Sequence, residues 1–214
     1  MAAVPTGTLF SVATTFGSAI TVTAVTNANP AVCTATAHGL SNGDVIEVTS
    51  GWGRLNKRVF EVSGVTTNTF ELEGMNTSST SFFPAGTGTG TVREVTAWTQ
   101  LTKVMNPSTQ GGDPKTVTYK FVESDVEYSI NDGFTATSYT LEFDDDDTTA
   151  GYTAMRTLTD AQTNTVMKML MRSGAIVYLP CTLAMNDVPR LQDGQINRIS
   201  ASFAGVNRHT RYSA

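Results

Sequence analysis

Four consecutive aspartates, Asp144–Asp147, are the densest group of potential metal ligands in the chain. Clustered carboxylates bind hard cations such as Ca²⁺. A calcium loop, however, spaces its ligands at alternate positions and bends at a glycine, whereas the side chains of adjacent residues diverge. We therefore expect this run to form a solvated turn or a contact between copies of the chain, without a metal.

The other candidates for catalysis or metal binding are isolated. His38 and His209 lie far apart in the sequence, with no cysteine or acid at ligand spacing. Cys33 and Cys181 are the only cysteines, too few for a disulfide framework or a metal knuckle, and they fit a reduced compartment. The chain has no GxSxG elbow, CxxC pair or phosphate-cradling glycine loop. The sequence predicts neither an enzyme nor a cofactor.

A small basic group, Arg54, Lys57 and Arg58, follows Trp52. Basic and aromatic residues together can bind nucleic acid or sugar. Residues 19–94 contain six acids against four bases, and the 214-residue chain has a net charge of -5. This balance gives no electrostatic reason to hold nucleic acid. Binding of a glycan by this group remains an alternative.

The composition indicates a β-rich protein of one or two domains. Charged residues make up 15% of the chain, while Thr, Ser, Gly and Val are abundant, which is typical of strands joined by short turns. The first 16 residues lack the basic start and apolar core of a secretion signal. No window reaches the ~20 apolar residues that a spanning helix needs. We expect a soluble protein that does not insert into a membrane.

The elements that must position these residues are clearest between Tyr139 and Met185. Apolar and polar residues alternate from Tyr139 to Phe143, which predicts a half-buried strand ending at the aspartates. Two long strands meet further on at Ser173-Gly174. Pro180 lacks the N–H that a central strand must donate, so it marks a bulge or an edge that is free at that point.

One helix is predicted between these strands, over about 149–162. Asp147 or Thr148 is the expected N-cap. Apolar residues at helical spacing form a single stripe, so one face of the helix is available for burial. The stripe consists of Gly151, Ala154, Met155, Leu158 and Ala161.

Residues 19–94 contain short strands separated by turn residues, a spacing that predicts a small barrel. Three blocks occur in order: TATAHGLSNGDVIEV from Thr34, GWGRLNKRVFEV from Gly51 and TNTFELEG from Thr67. This succession resembles the small SH3-like module of ubiquitin-activating enzymes, which is also frequent in phage structural proteins. The resemblance implies a non-catalytic β-barrel. Ubiquitin chemistry is not implied, because the catalytic and nucleotide-binding domains of those enzymes are missing.

Two polar stretches are predicted to be loops. Asn106–Pro114 (NPSTQGGDP) holds two prolines and two glycines, and its length suggests that it reaches out of the subunit. Asn186–Gly194 is the second such stretch.

The order of elements outside the small barrel is a further observation. A strand pair, the acidic turn, one helix beginning GYTAMR at Gly151, a long hairpin, a proline-containing loop and a final strand follow one another. This order is similar to the tail tube proteins of long-tailed phages. The resemblance covers residues 1–18 and 95–214 and implies a discontinuous β-sandwich or barrel domain, flanked by one helix and interrupted by the barrel inserted at 19–94. In that family the subunit forms hexameric rings, and the stacked rings make a conduit for DNA.

The resemblance also implies partners and a location. The partners are other copies of the chain, other tail proteins and double-stranded DNA in transient passage; the location is the virion tail, after assembly in the host cytoplasm. The alternative is a tail-tip or decoration protein whose inserted barrel binds a host surface glycan. In the tube hypothesis, sheet edges join between neighbours, and the polar loop and the two termini grip the adjoining ring.

Two groups of residues are candidates for these roles. A good conduit carries few free cations, because each one strengthens DNA binding through counterion release, so hydroxyl and acidic side chains suit the lumen. The lumen candidates are Thr118, Glu127, Ser200 and Ser202. The candidates for contacts between rings or subunits are Asn106, Pro107, Ser108, Gly111, Gly112, Asp113, Pro114, Asp144, Asp145, Asp146 and Asp147.

Overall fold

The computed structural model describes residues 6–214 as sixteen strands and one helix. The strands before the helix are β1 (Leu9–Phe16), β2 (Ile20–Val22), β3 (Ala24–Val25), β4 (Ala31–Thr34), β5 (Val45–Ser50), β6 (Val59–Ser63), β7 (Thr69–Leu72), β8 (Gly90–Leu101), β9 (Val104–Gln110), β10 (Pro114–Tyr119), β11 (Tyr128–Phe134) and β12 (Ser138–Asp144). The helix α1 (Ala150–Ala161) precedes β13 (Asn164–Leu170), β14 (Ile176–Arg190), β15 (Arg198–Gly205) and β16 (Thr210–Tyr212).

Fourteen of these strands form one large antiparallel sheet that curls on itself. Its order is β3-β4-β7-β6-β5-β8-β1-β13-β14-β15-β12-β9, with β2 beside β8 and β16 beside β14. The strands β10 and β11 form a separate two-stranded sheet. The fold is therefore mainly β with one helix, consistent with the predicted sandwich or barrel.

One core lies inside the curled sheet where α1 covers it. Met155 on α1 is only 2% exposed, and Tyr152, Ala154 and Leu158 pack around it as the predicted stripe requires. Ala161, the last residue of that stripe, is exposed at the end of the helix. The sheet contributes Phe10, Val12, Leu101, Leu141, Phe143, Met167, Met169, Val177, Leu179, Cys181, Leu183, Ile199, Ala201 and Phe203.

A second core lies within residues 19–94. Trp52, Phe60 and Phe70 are among its largest fully buried side chains. The Trp52 indole N–H donates to the Pro84 carbonyl (2.9 Å) and to the Thr87 hydroxyl (3.0 Å). Trp52 is therefore a packed residue and offers no face for stacking on a sugar.

The two cores are joined through β8. Its first half pairs with β2 and β5, and its second half pairs with β1. A third cluster, which includes Val59 and Tyr178, lies between the cores. The Tyr178 hydroxyl donates to the Glu61 carboxylate (2.8 Å) across the same boundary. A separate domain at 19–94 stays a prediction, and residues 1–5 of the predicted body domain lie outside the described residues.

Pro180 lies where β14 changes its neighbour. β13 pairs with one side of β14 from Ile176 to Thr182. On the other side, β16 pairs up to Tyr178 and β15 begins at Cys181. Pro180 thus occupies a gap between two partner strands where no N–H is required, as predicted, but β14 is an interior strand and not an edge of the sheet. Its carbonyl accepts the Val206 N–H at 2.9 Å.

The helix begins one residue later than its predicted cap. Thr149, and not Asp147 or Thr148, is the N-cap, and its hydroxyl accepts the Tyr152 N–H (3.2 Å). Asp146 closes the preceding turn, because its carboxylate accepts the N–H and the hydroxyl of Thr148 at 3.1 and 2.6 Å. Both residue types cap helices well, so sequence alone did not separate these positions.

Both predicted loops were too long. Residues 106–110 belong to β9, and only residues 111–113 connect β9 to β10. Residues 186–190 extend β14, which leaves 191–197 as the connection to β15. Pro107 is tolerated because β9 is an edge strand with an open side. The polar composition of both stretches reflects exposure and not the lack of regular structure.

Candidate assembly surfaces

The hairpin arm, defined as β10, β11 and the turn between them (114–134), is the least buried part of the molecule. Every residue of both strands is exposed. Val117 pairs with Ile130 and Tyr119 pairs with Tyr128, so one face of the hairpin is apolar. Tyr119 and Tyr128 stack with ring centroids 5.6 Å apart. Thr118 and Ser129 pair on the opposite face, which carries hydroxyl groups.

The apolar face of the arm lacks a cover within residues 6–214. Val117 is 45% exposed, Tyr128 is 42% exposed and Ile130 is 54% exposed. A hairpin of two strands is marginally stable alone, and a contiguous exposed apolar surface marks a site of interaction. The apolar face of the arm is therefore a candidate surface for contact with another molecule.

A second surface, here called the polar face, is the outer side of β14, β15, β12 and β9. Ser202 pairs with Thr140 on β12 and with Ala184 on β14, while Ser200 pairs with Glu142 and Asn186. The alternate residues Ile199, Ala201 and Phe203 point into the core. Ser108 on β9 pairs with Thr140, so polar side chains occur on all four adjacent strands of this face, with Ala184 as an apolar exception.

One carboxylate on the polar face, that of Glu142, contacts both arginines of this face. Glu142 accepts a hydrogen bond from Asn106 (2.8 Å) and pairs with Arg198 (3.4 Å) and Arg190 (3.3 Å). The Asn106 hydrogen bond, followed by the contacts with the two arginines, lowers the pKa of Glu142. Both arginines on this face are thus engaged by a carboxylate.

The acidic turn, Asp144–Asp147, is tied to the loop before β9. The Lys103 ammonium group lies 2.6 Å from Asp146 and 3.2 Å from Asp144. The hydrogen bonds from Lys103 and Thr148 hold the pKa of Asp146 at about 2. Asp144 to Asp146 are half-buried, so the turn is less solvated than predicted. Across residues 6–214, no three His, Cys, Asp or Glu side chains are grouped as a metal site requires.

A comparison with known protein families identifies the kind of subunit to which these surfaces belong. The family model described as phage tail tube protein (TTP) matches residues 50–214. The chain belongs to the phage tail tube protein family. Among curated proteins no relative matches it. It is therefore a structural component of a phage tail tube, which assembles with itself and with other tail proteins. The family is in general not enzymatic.

The structure separates the residues predicted to line the tube lumen. Ser200 and Ser202 lie together on the polar face. Thr118 and Glu127 instead belong to the hairpin arm, Thr118 on its hydroxyl face and Glu127 in its turn. The four candidates therefore do not form one surface of a tail tube subunit.

The predicted contact residues also fall into separate groups. Asn106, Pro107 and Ser108 lie on the open edge strand β9, next to the polar face. Gly111 and Gly112 have φ angles of 77° and 82°, which favour glycine, and with Asp113 they turn the chain into Pro114 at the base of the arm. The acidic turn lies at the other end of β12, at Asp144.

Sequence reasoning missed two features of the tail tube subunit. The alternation of Val117 and Tyr119 with polar residues was visible, but the sequence did not show that no core covers their face. Arg58 and Arg208 are 150 positions apart, and only the fold brings both to one cavity.

Within the described residues, no helix has the length and apolar character to cross a membrane.

Proposed function

We propose that the subunit closes into rings, hexameric by resemblance, and that the stacked rings form the conduit through which double-stranded DNA leaves the virion. Family membership supports a tube. The single observation that carries the conduit is the polar face: four adjacent strands with small polar side chains, whose two arginines are already engaged by Glu142. Such a face exposes a passing polyanion to few free cations.

Ring closure is supported by the open edge of the sheet. β9 pairs with β12 on one side, and its other side has no partner strand within residues 6–214. An unpaired edge presents N–H and C=O groups that another strand can satisfy. A neighbouring copy supplies that strand in the proposed ring and continues the polar face around the lumen.

Contact between subunits beyond the edge is assigned to the hairpin arm. Its apolar face is exposed in the single subunit, and covering it with a neighbour removes apolar surface from water. The arm takes the role that was predicted for residues 106–114. The acidic turn stays a candidate for contact between rings.

A comparison of the two faces of the arm tests this proposal. The double variant Val117→Ser with Ile130→Ser removes the apolar pair, and Thr118→Ala with Ser129→Ala is its matched control on the other face. We expect the concentration needed for tube formation to rise about tenfold or more for the first variant, because the contact loses two aliphatic side chains that it would bury. The control should form tubes as the wild type does. Negative-stain microscopy and sedimentation provide the measurement.

Equal tube formation by both variants would show that the apolar face is not an assembly contact. A wild-type subunit that stays a soluble single species, binds sugar and forms no filaments would overturn the tube and support the decoration protein. The buried position of Trp52 already removes the aromatic residue on which that alternative relied.

A further inference from the structure

A cavity of about 640 Å³ lies between residues 54–83 and the base of the hairpin arm. Arg54, Arg58 and Arg208 line it. The Arg54 guanidinium lies 3.5 Å from the centre of the Phe82 ring, and the Arg208 guanidinium lies 5.1 Å from the centre of the Phe134 ring. We call this site, with its three arginines on aromatic walls, the arginine cavity.

The positive charge of the arginine cavity lacks a counter-ion. Within residues 6–214, none of its three arginines forms an ion pair with an acid. Arg58 donates to the Met75 sulfur (3.4 Å) and to the Thr210 hydroxyl (3.2 Å), and its buried Nε–H has no acceptor. Burial and the neighbouring Arg208 lower the pKa of Arg58. A cation desolvated in this way is stabilised when an anion enters.

Matching chemistry lies at the far end of the hairpin arm. Its turn, residues 120–127, carries three acids, Glu123, Asp125 and Glu127, against one base, Lys120, and none of these acids forms an ion pair among the described residues. Phe121 and Val122 beside them are 52% and 103% exposed. The tip thus offers carboxylates and apolar side chains together, which is the complement of arginines on phenylalanine walls.

The arm cannot fill its own cavity. Phe134 at the base of the arm lines the cavity, and the strand runs from there to Tyr128 before the turn begins. Six residues of extended strand span about 20 Å, so the acids lie that far from the cavity of the same copy. The occupant must come from another molecule.

We propose that the acidic tip of the arm in one copy docks into the arginine cavity of a neighbouring copy. This inference rests on the proposed tube assembly and identifies the surface that receives the arm. Two different patches meet in such a contact, so it is heterologous and propagates from copy to copy, as a ring or a stack of rings requires.

Charge reversal on each side tests the docking. One variant carries Arg58→Glu and Arg208→Glu; the other carries Glu123→Lys, Asp125→Lys and Glu127→Lys. Each variant alone then sets like charges against each other, and we expect the concentration needed for assembly to rise about tenfold or more. A mixture of the two variants should restore assembly, because the lysine tip fits the glutamate cavity and the native tip fits the native cavity.

Control variants separate a loss of docking from a general effect of charge and from misfolding. Arg156→Glu with Arg172→Glu changes the charge of exposed residues outside the cavity by the same amount as the cavity variant and should assemble normally. Where a reversed variant is not folded by circular dichroism, the neutral changes Arg58→Gln and Arg208→Gln give the second measurement. They should weaken assembly and reduce its dependence on salt.

Two results would overturn the docking. One is normal assembly of both folded reversal variants; the other is a mixture that associates no better than its separate components in sedimentation equilibrium. Either result leaves the proposed tube intact if the wild type forms tubes and the Val117→Ser with Ile130→Ser variant still needs a higher concentration to do so. If the wild type forms no tubes, the proposed function fails, while association of the two mixed variants still tests the docking.

Discussion

His38 makes its polar side-chain contacts inside the protein. Its Nδ1 accepts the Leu40 N–H (3.1 Å), so Nε2 carries the proton and donates to the Thr69 carbonyl (3.3 Å). The ring also packs edge-on against Phe70 at 5.1 Å. His38 is therefore a packed turn residue. Trp52 and the two cysteines likewise serve packing.

Cys33 and Cys181 should be unreactive while the subunit is folded. The side chains are 1% and 0% exposed, and burial raises the pKa of each thiol to about 12. Because the thiolate is the reactive form, we expect no labelling by a thiol reagent at pH 8 and labelling of both residues in denaturant. Mass spectrometry counts the labels. Fast labelling of either cysteine in the native subunit would contradict the packing described for its core.

At the scale of elements, the strand β15 connects the core to the surface of the proposed conduit. Its inward residues build the core, and Ser200 and Ser202 face outward next to Glu142 and Thr140. Alternation along one strand therefore places packing on one side and, on the other, the surface that we propose faces the DNA.

Cations placed on the polar face should slow DNA passage without preventing assembly. We expect Ser200→Lys with Ser202→Lys to form tubes, because both positions are partly exposed. Virions with these lysines should release DNA several-fold more slowly at low salt, and high salt should remove the defect, since each held phosphate adds a counterion-release contribution. Thr153→Lys with Thr157→Lys, on the exposed side of α1, is the matched control. Unchanged release at low salt would place the polar face outside the lumen.

The sequence predicted best those elements whose buried apolar residues recur at the regular spacing of a helix or a strand. The helix over 150–161 was found within one residue because Met155 and Leu158 lie on one buried stripe. The strands β9 and the end of β14 were missed because their exposed residues show no apolar alternation. The resemblance to tail tube proteins gave the family, but the uncovered face of the arm and the arginine cavity depend on long-range packing.

At the scale of the whole molecule, the segment 19–94 begins and ends at neighbouring positions of the β1–β8 ladder. Phe16, at the end of β1, pairs with Val95 on β8, and the Gly17 N–H donates to the Glu94 carbonyl at 2.8 Å. The chain therefore leaves the predicted domain of residues 1–18 and 95–214, and returns to it, through neighbouring residues. That geometry supports the proposal that residues 19–94 are an inserted domain.

Excision of the inserted segment tests this division. Replacing residues 18–93 with Asn-Gly should join β1 and β8 in a two-residue hairpin. We expect the remaining body to fold with reduced stability, since Ala13 and Tyr178 lose their contacts with Val45 and Val59. Circular dichroism and thermal unfolding provide the measurement. A remnant without cooperative unfolding would show that the two cores form one inseparable domain.

The shared strand β8 also has a mechanical consequence. Its twelve residues run without interruption from the second core into the ladder with β1, so the subunit has no flexible linker there. In the proposed tube, a subunit that tilts against the next one must carry residues 19–94 with it, because β8 belongs to both cores. A force applied to residues 19–94 would therefore load the hydrogen bonds between β1 and β8.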